Sequence, residues 1–97
     1  MPTYVSLLNF TDQGIKNAKA TVDRLQQNRA AIERAGGRIT AVYWTQGEYD
    51  LVTITDWPDE EVAMAFLVQL GMAGNVRSQT LRAFDEAAMQ RILAKVS

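Results

Sequence analysis

The sequence predicts a single α+β domain: a four-stranded antiparallel sheet backed by helices, with an extra helix at the C-terminal end. Three observations predict it. Apolar runs alternate between strand and helix periodicity in the order β-α-β-β-α-β. The chain has 97 residues, the size of one domain, and no linker, repeat or low-complexity tract divides it. Hydrophobic residues make up 47% of it, too many for a disordered chain and usual for a globular one.

Thr3 to Phe10 is rich in β-branched and aromatic residues and reads as the first strand. Thr11 and Asp12 suit a helix N-cap. From there to Ala35, Ile15, Ala18, Val22, Leu25, Ile32 and Ala35 recur at helical spacing on one face, with Arg24, Gln27, Asn28 and Glu33 largely off it. Gly36 and Gly37 end this helix. Arg38 to Gln46 and Tyr49 to Asp56 read as a hairpin around Gly47-Glu48, a two-residue connection of type II′. A second helix opens at Trp57-Pro58, with Asp56 or Trp57 near the cap and Asp59, Glu60 and Glu61 in its first turn; Val62, Ala63, Phe66, Leu67 and Leu70 form its buried face. Gly71 and Gly74 bracket its end, and Asn75 to Phe84 is the fourth strand. Asp85 caps a last short helix, with Phe84 and Met89 placed for a hydrophobic staple. This is the ferredoxin-like order. Strands one and three belong at the centre, and each crossover is expected to join parallel, right-handed neighbours.

Both long helices of such a fold cover one sheet face, so the other meets water unless something covers it. Neither alternating set of strand residues is charged through its middle. In the first strand Tyr4, Ser6, Leu8 and Phe10 oppose Thr3, Val5, Leu7 and Asn9; in the second Ile39, Ala41 and Tyr43 oppose Thr40, Val42 and Trp44. A homo-oligomer with a second sheet packed on the first is the expectation.

Composition excludes several functions. The chain has neither cysteine nor histidine, which removes thiol nucleophiles, disulfides, His-based triads and zinc sites built on nitrogen or sulfur. A net charge of −1 without a basic stripe argues against nucleic acid and a polybasic membrane anchor. No basic leader or long apolar run is present, so a cytoplasmic location is expected. No metal and no cofactor is expected. Asp59-Glu60-Glu61 fits a helix N-terminus better than a hard-metal site, and Gly71-Met72-Ala73-Gly74 follows a helix and lacks the ending of a phosphate loop.

The string TQGEYDLVTITDWPDEEVA resembles the signature of the GYD-domain family, with its Gly-x-Tyr-Asp segment at Gly47 to Asp50. The similarity takes in the Tyr4–Phe10 strand, Thr11 to Gly14-Ile15 and the late Leu81-Arg82-Ala83-Phe84. It implies the dimeric α+β barrel class, ferredoxin-like subunits pairing sheet to sheet, and carries little chemistry with it. Ala20-Thr21-Val22 departs from the proline-bearing break the resemblance leads one to expect, so the first helix is expected to run on without a gate-like loop.

Candidate ligand-binding residues are Tyr49, Asp50, Trp44, Arg82 and Asn9. Tyr49 can donate a hydrogen bond and Asp50 can act as base or anchor; the plainer and favoured role is structural, Asp50 holding backbone amides near the hairpin and Tyr49 filling a rim between subunits. Trp44, with Tyr43 and Tyr4, can line a pocket for a planar ligand or serve as core. Arg77 and Arg82 sit on opposite faces of the fourth strand, one of them free to hold a carboxylate; a salt bridge to Glu48, Asp50 or Asp56 is the plainer role. Asn9 could orient a carbonyl. These residues support a small homo-oligomeric protein that binds a small organic ligand at the sheet or subunit interface. The alternative is a cofactor-independent enzyme of the antibiotic-biosynthesis monooxygenase type, with Asp50, a tyrosine or a lysine as its base. That alternative rests on fold likeness, which does not carry function. Haem-degrading chemistry is set aside because it needs an axial histidine.

Overall fold

The computed structural model describes residues 1–97. The strands are β1 (Thr3–Phe10), β2 (Arg38–Trp44), β3 (Leu51–Asp56) and β4 (Val76–Ala83); the helices are α1 (Asp12–Lys16), α2 (Thr21–Arg34), α3 (Glu60–Ala73) and α4 (Glu86–Leu93). One antiparallel sheet runs β2-β3-β1-β4, so β1 and β3 are central as expected. Each crossover skips one strand rather than joining neighbours: β3 lies between β1 and β2, and β1 lies between β3 and β4.

The dimeric α+β barrel expectation is overturned. The sheet is open and ends in two edges, β2 and β4, which the strand order holds on opposite margins. A barrel requires its first and last strands to pair, and these do not meet.

Local departures from the expected elements have local causes. The first helix is not continuous. It breaks at Asn17, whose backbone leaves helical geometry (φ −110°, ψ 29°), and a 3-10 turn at Ala18–Ala20 leads into α2. The Asn17 side chain donates to the Gln13 carbonyl (3.0 Å) and Arg24 Nη1 donates to the Asn17 carbonyl (2.8 Å), holding the break without a proline. The single apolar stripe is therefore split, and Ile15 and Val22 point to solvent. α2 closes with Gly36 N–H on Glu33 O (3.0 Å) and Gly37 N–H on Ile32 O (2.9 Å), the paired bonds of a Schellman end. The hairpin connection spans 45–50 rather than two residues, although Gly47 does take positive φ (105°). Asp50 causes the lengthening, because its N–H donates to Leu8 O (2.8 Å) and draws the chain toward β1. α3 starts later than expected, capped by Asp59, whose Oδ1 accepts from Val62 N (2.9 Å). Asp56 cannot cap because Thr3 and Arg38 occupy its carboxylate. Trp57 goes into the core and packs on Phe66 at 5.2 Å.

A β-bulge at Thr40 resets the alternation of β2: Ile39 pairs with Thr55, but Ala41 pairs with Ile54. Ile39 therefore shares the helical side with Val42 and Trp44, and Tyr43 goes to the outer side with Ala41. The outer face carries Val5, Leu7, Val52, Ile54, Tyr43 and Leu81, and the last two are well exposed. The core is thin, with 10 of 97 residues buried, and falls into two clusters. Leu8, Leu51 and Val76 form one with Phe10 and Leu70; Ile32, Trp57 and Ala63 form the other with Tyr4, Ile39, Val62 and Phe66. Asp85 caps α4 as expected, accepting from Ala88 N at 2.8 Å, and no residue of α4 is buried. No helix is long and apolar enough to cross a membrane.

Candidate functional site

One core cluster joins the two helices, through Ile32 of α2 and Ala63 of α3, and the other lies toward the far end of the sheet; beyond the first, α2 lies along β2 and α3 along β4. Between them is a cavity of 330 Å³, at the small end of the roughly 300–1,000 Å³ typical of small-molecule sites. β1 and β4 supply its floor through Tyr4, Ser6, Leu8 and Thr80, α2 contributes Leu25 and Ile32, and α3 contributes Phe66 and Leu70. Alternation explains the floor: even positions of β1 and of β4 face the helices in this register.

The polar groups of this lining are hydroxyls, the two indoles, the carboxamides of Gln27, Asn28, Gln69 and Asn75, and Arg24, and several of the hydroxyls and both indoles are already in partnership. Ser6 and Thr80 hydroxyls lie 2.9 Å apart, Trp57 Nε1 donates to Thr55 Oγ1 (2.9 Å), and Trp44 Nε1 donates to Thr21 Oγ1 (3.2 Å), tying the end of β2 to the start of α2. Tyr4 and Arg24 are the ionisable side chains of the lining; no carboxylate belongs to it.

Of the five candidate ligand-binding residues Trp44 lines the cavity and the other four do not, and of the aromatics grouped with Trp44, Tyr4 lines it and Tyr43 does not. Asp50 is a backbone clamp: its Oδ2 accepts from Phe10 N (2.8 Å) while its own N–H meets Leu8 O. Tyr49 donates its hydroxyl to Gln79 Oε1 (2.9 Å) on the outer side of the sheet, and Asn9 lies on that side opposite Arg77. Arg82 sits over the rings of Phe84 (4.5 Å) and Tyr4 (5.6 Å) and donates to the carbonyls of Thr3 (3.2 Å) and Ala83. The candidates are thus scattered over both faces of the sheet instead of converging.

Arg24 and the hydroxyl floor were missed. Thr21, Leu25, Asn28 and Ile32 share one helical face and all line the cavity, with Arg24 beside them. That face becomes visible in the sequence only once the helix is restarted at Thr21. The acidic run at 59–61 serves the start of α3, and no group of three potential metal-ligating side chains comes together.

Comparison with known proteins adds a family. Residues 4–93 match the model of the GYD domain. The chain is 30% identical over 88 residues to a Thermus thermophilus protein named glutamine synthetase and cystathionine beta-lyase binding protein, an alignment covering 90% of this chain and 93% of that one. It also resembles a crystal structure from Thermus thermophilus, with a TM-score of 0.53 and 28% identity over 88% of this chain and 95% of the other.

Proposed function

Since this chain belongs to the GYD domain family, a membership that fixes no reaction, we propose from its structure that it is a small binding protein holding an organic molecule between its sheet and helices α2 and α3. The cavity carries this reading: 330 Å³ of space walled mainly by apolar side chains, with hydroxyls on its floor and a few carboxamides around it. A merely structural core of this size would close such a space, because lost packing costs on the order of 20 cal/mol for each Å³ left empty.

Both tryptophans of the chain line the cavity, so their indole N–H resonances report on its occupancy. Titration with the neutral probe 2-acetylnaphthalene is expected to shift both resonances saturably. Thr80→Phe, which pushes a ring into the floor, is expected to weaken that binding by about tenfold or more through overpacking. Unmoved indole resonances at saturating probe would remove the reading.

A base-catalysed, cofactor-free reaction is less well supported, because Asp50 and Tyr49 lie outside the cavity, with Asp50 Oδ2 and the Tyr49 hydroxyl bonded elsewhere, which leaves Tyr4 as the one candidate base in the lining. A protein-binding role is the second reading. It is favoured by the outer face, where Val5, Leu7, Val52 and Ile54 form an apolar strip flanked by exposed Tyr43 and Leu81. Self-association through this strip belongs to the same reading. So does capture of a metabolic enzyme, in keeping with the name of the Thermus relative.

A further inference from the structure

Three hydroxyl residues cross the floor of the cavity in one row. Ser6 of β1 lies directly opposite Thr53 of β3 on one side and Thr80 of β4 on the other, and all three turn to the helical face of the sheet. Two of them are engaged. The Ser6 and Thr80 hydroxyls share a bond of 2.9 Å, and Thr80 Oγ1 donates onward to Ser78 Oγ at 3.4 Å. A hydroxyl owns one proton, so Ser6 is the donor to Thr80 and the relay runs outward to the sheet edge. Thr21 and Thr55 accept from the indoles of Trp44 and Trp57. Among the serine and threonine hydroxyls of the lining, Thr53 alone meets no group of the chain. It is half-buried and yet open, since the one unpartnered polar side-chain atom closed to solvent is Arg24 Nη2. A hydroxyl proton facing mostly apolar walls is costly unless something accepts it.

We propose that the cavity takes a neutral organic molecule with a carbonyl oxygen, a ketone, ester or amide, that accepts a hydrogen bond from Thr53 Oγ1. This rests on the ligand-binding reading above and names the class of ligand. Neutrality follows from the lining. No carboxylate belongs to it, and Arg24 borders it with Nη1 engaged by the Asn17 carbonyl and Nη2 closed off, so a charged ligand would lose water without gaining a partner. An acceptor is what the floor lacks, because Thr53 has a proton to give and nothing in the chain takes it. Leu8, Leu51 and Phe66 offer apolar contact to the body of the molecule. At about 30 Å³ for each water-sized group, the space admits a body of roughly ten to fifteen non-hydrogen atoms.

The test compares 2-acetylnaphthalene with 2-isopropenylnaphthalene, in which a methylene group replaces the carbonyl oxygen at nearly the same size and shape. Affinities come from the indole resonances of Trp44 and Trp57. The hydrocarbon leaves water more readily, so the readout is how the ratio of the two affinities changes between proteins. Thr53→Val, which exchanges the hydroxyl for a methyl, is expected to move that ratio about fivefold against the ketone, with hydrocarbon affinity held or raised. Thr53→Ser should keep the wild-type direction of preference. In the infrared, the carbonyl stretch of 2-acetylnaphthalene bound to wild-type protein should lie below its frequency in hexane and move back toward it in Thr53→Val. An unchanged ratio in Thr53→Val would mean that water serves this hydroxyl, and would overturn the assignment while the cavity reading survived. A carbonyl stretch at the hexane value in the wild type would overturn it too. If neither compound moved the indole resonances, the cavity reading and this one would fall together. The infrared measurement on the wild type stands even if Thr53→Val does not fold.

Discussion

Asp56 shows how single side chains fix the margin of the sheet. Thr3 Oγ1 donates to its Oδ1 (2.6 Å) and Arg38 Nε to its Oδ2 (3.1 Å), so one carboxylate ties β1, β2 and β3 together at one end. The Thr3 hydroxyl, chiefly, and then the Arg38 guanidinium hold its carboxyl below the ordinary value of 3.8, against the opposing effect of burial. A carboxyl whose folded pKa lies below its unfolded one stabilises the fold above the unfolded pKa, and that contribution is lost as pH falls through the folded pKa. Urea denaturation is therefore expected to show wild-type stability falling more than that of Asp56→Asn from about pH 5 to about pH 2.5, with Thr3→Val in between. Equal losses in all three proteins would refute the linkage. Asp50, at the other end of the same strand, was legible as a backbone clamp from its place beside a turn. Its partner Phe10 N was not, because forty residues separate them in the chain.

At the scale of elements, close approaches matter more than propensity. Gly14 is buried in α1 against the start of β4, and a Cβ built there would lie 1.9 Å from the Asn75 carbonyl oxygen, a backbone atom that cannot swing away. Gly14→Ala is expected to cost roughly 3 kcal/mol or to prevent folding. Gly71→Ala, in α3 with nothing nearer than 3.9 Å to the added carbon, should be neutral or gain about 0.5–1 kcal/mol. Thermal denaturation of the two variants separates these outcomes, and similar melting temperatures would contradict the argument. The break at Asn17 and the bulge at Thr40 belong to the same scale. Each is held by side-chain bonds to backbone carbonyls, Asn17 to Gln13 and Thr40 to Ile54, and each shifts the phase of everything after it. A pattern that assumes constant periodicity assigns Ile15 and Val22 to the core and puts Ile39 on the same face as Tyr43; both assignments fail for this reason.

For the whole molecule, the question is what lies on either side of an open four-stranded sheet. On one side the helices meet at Ile32 and Ala63 and leave the cavity between them; on the other an apolar strip faces outward. If that strip mediates self-association, light scattering at micromolar concentration should give a mass of at least two chains of 10.8 kDa, and Ile54→Lys should return it to one. A wild-type mass of a single chain would end that reading. Periodicity and caps in the sequence by themselves determined the α+β class, the order of the elements along the chain and the apolar character of both sheet faces, because these depend on neighbours within a few residues; the central places of β1 and β3 followed from likeness to the ferredoxin-like order. Tertiary structure alone decided that the sheet stays open, that the helices diverge enough to leave a cavity, and that Arg24 borders it while Asp50 and Tyr49 do not. Those outcomes depend on how far one helix sits from another and on where a bulge or a break resets a face, distances and phases that residues far apart in the chain settle together.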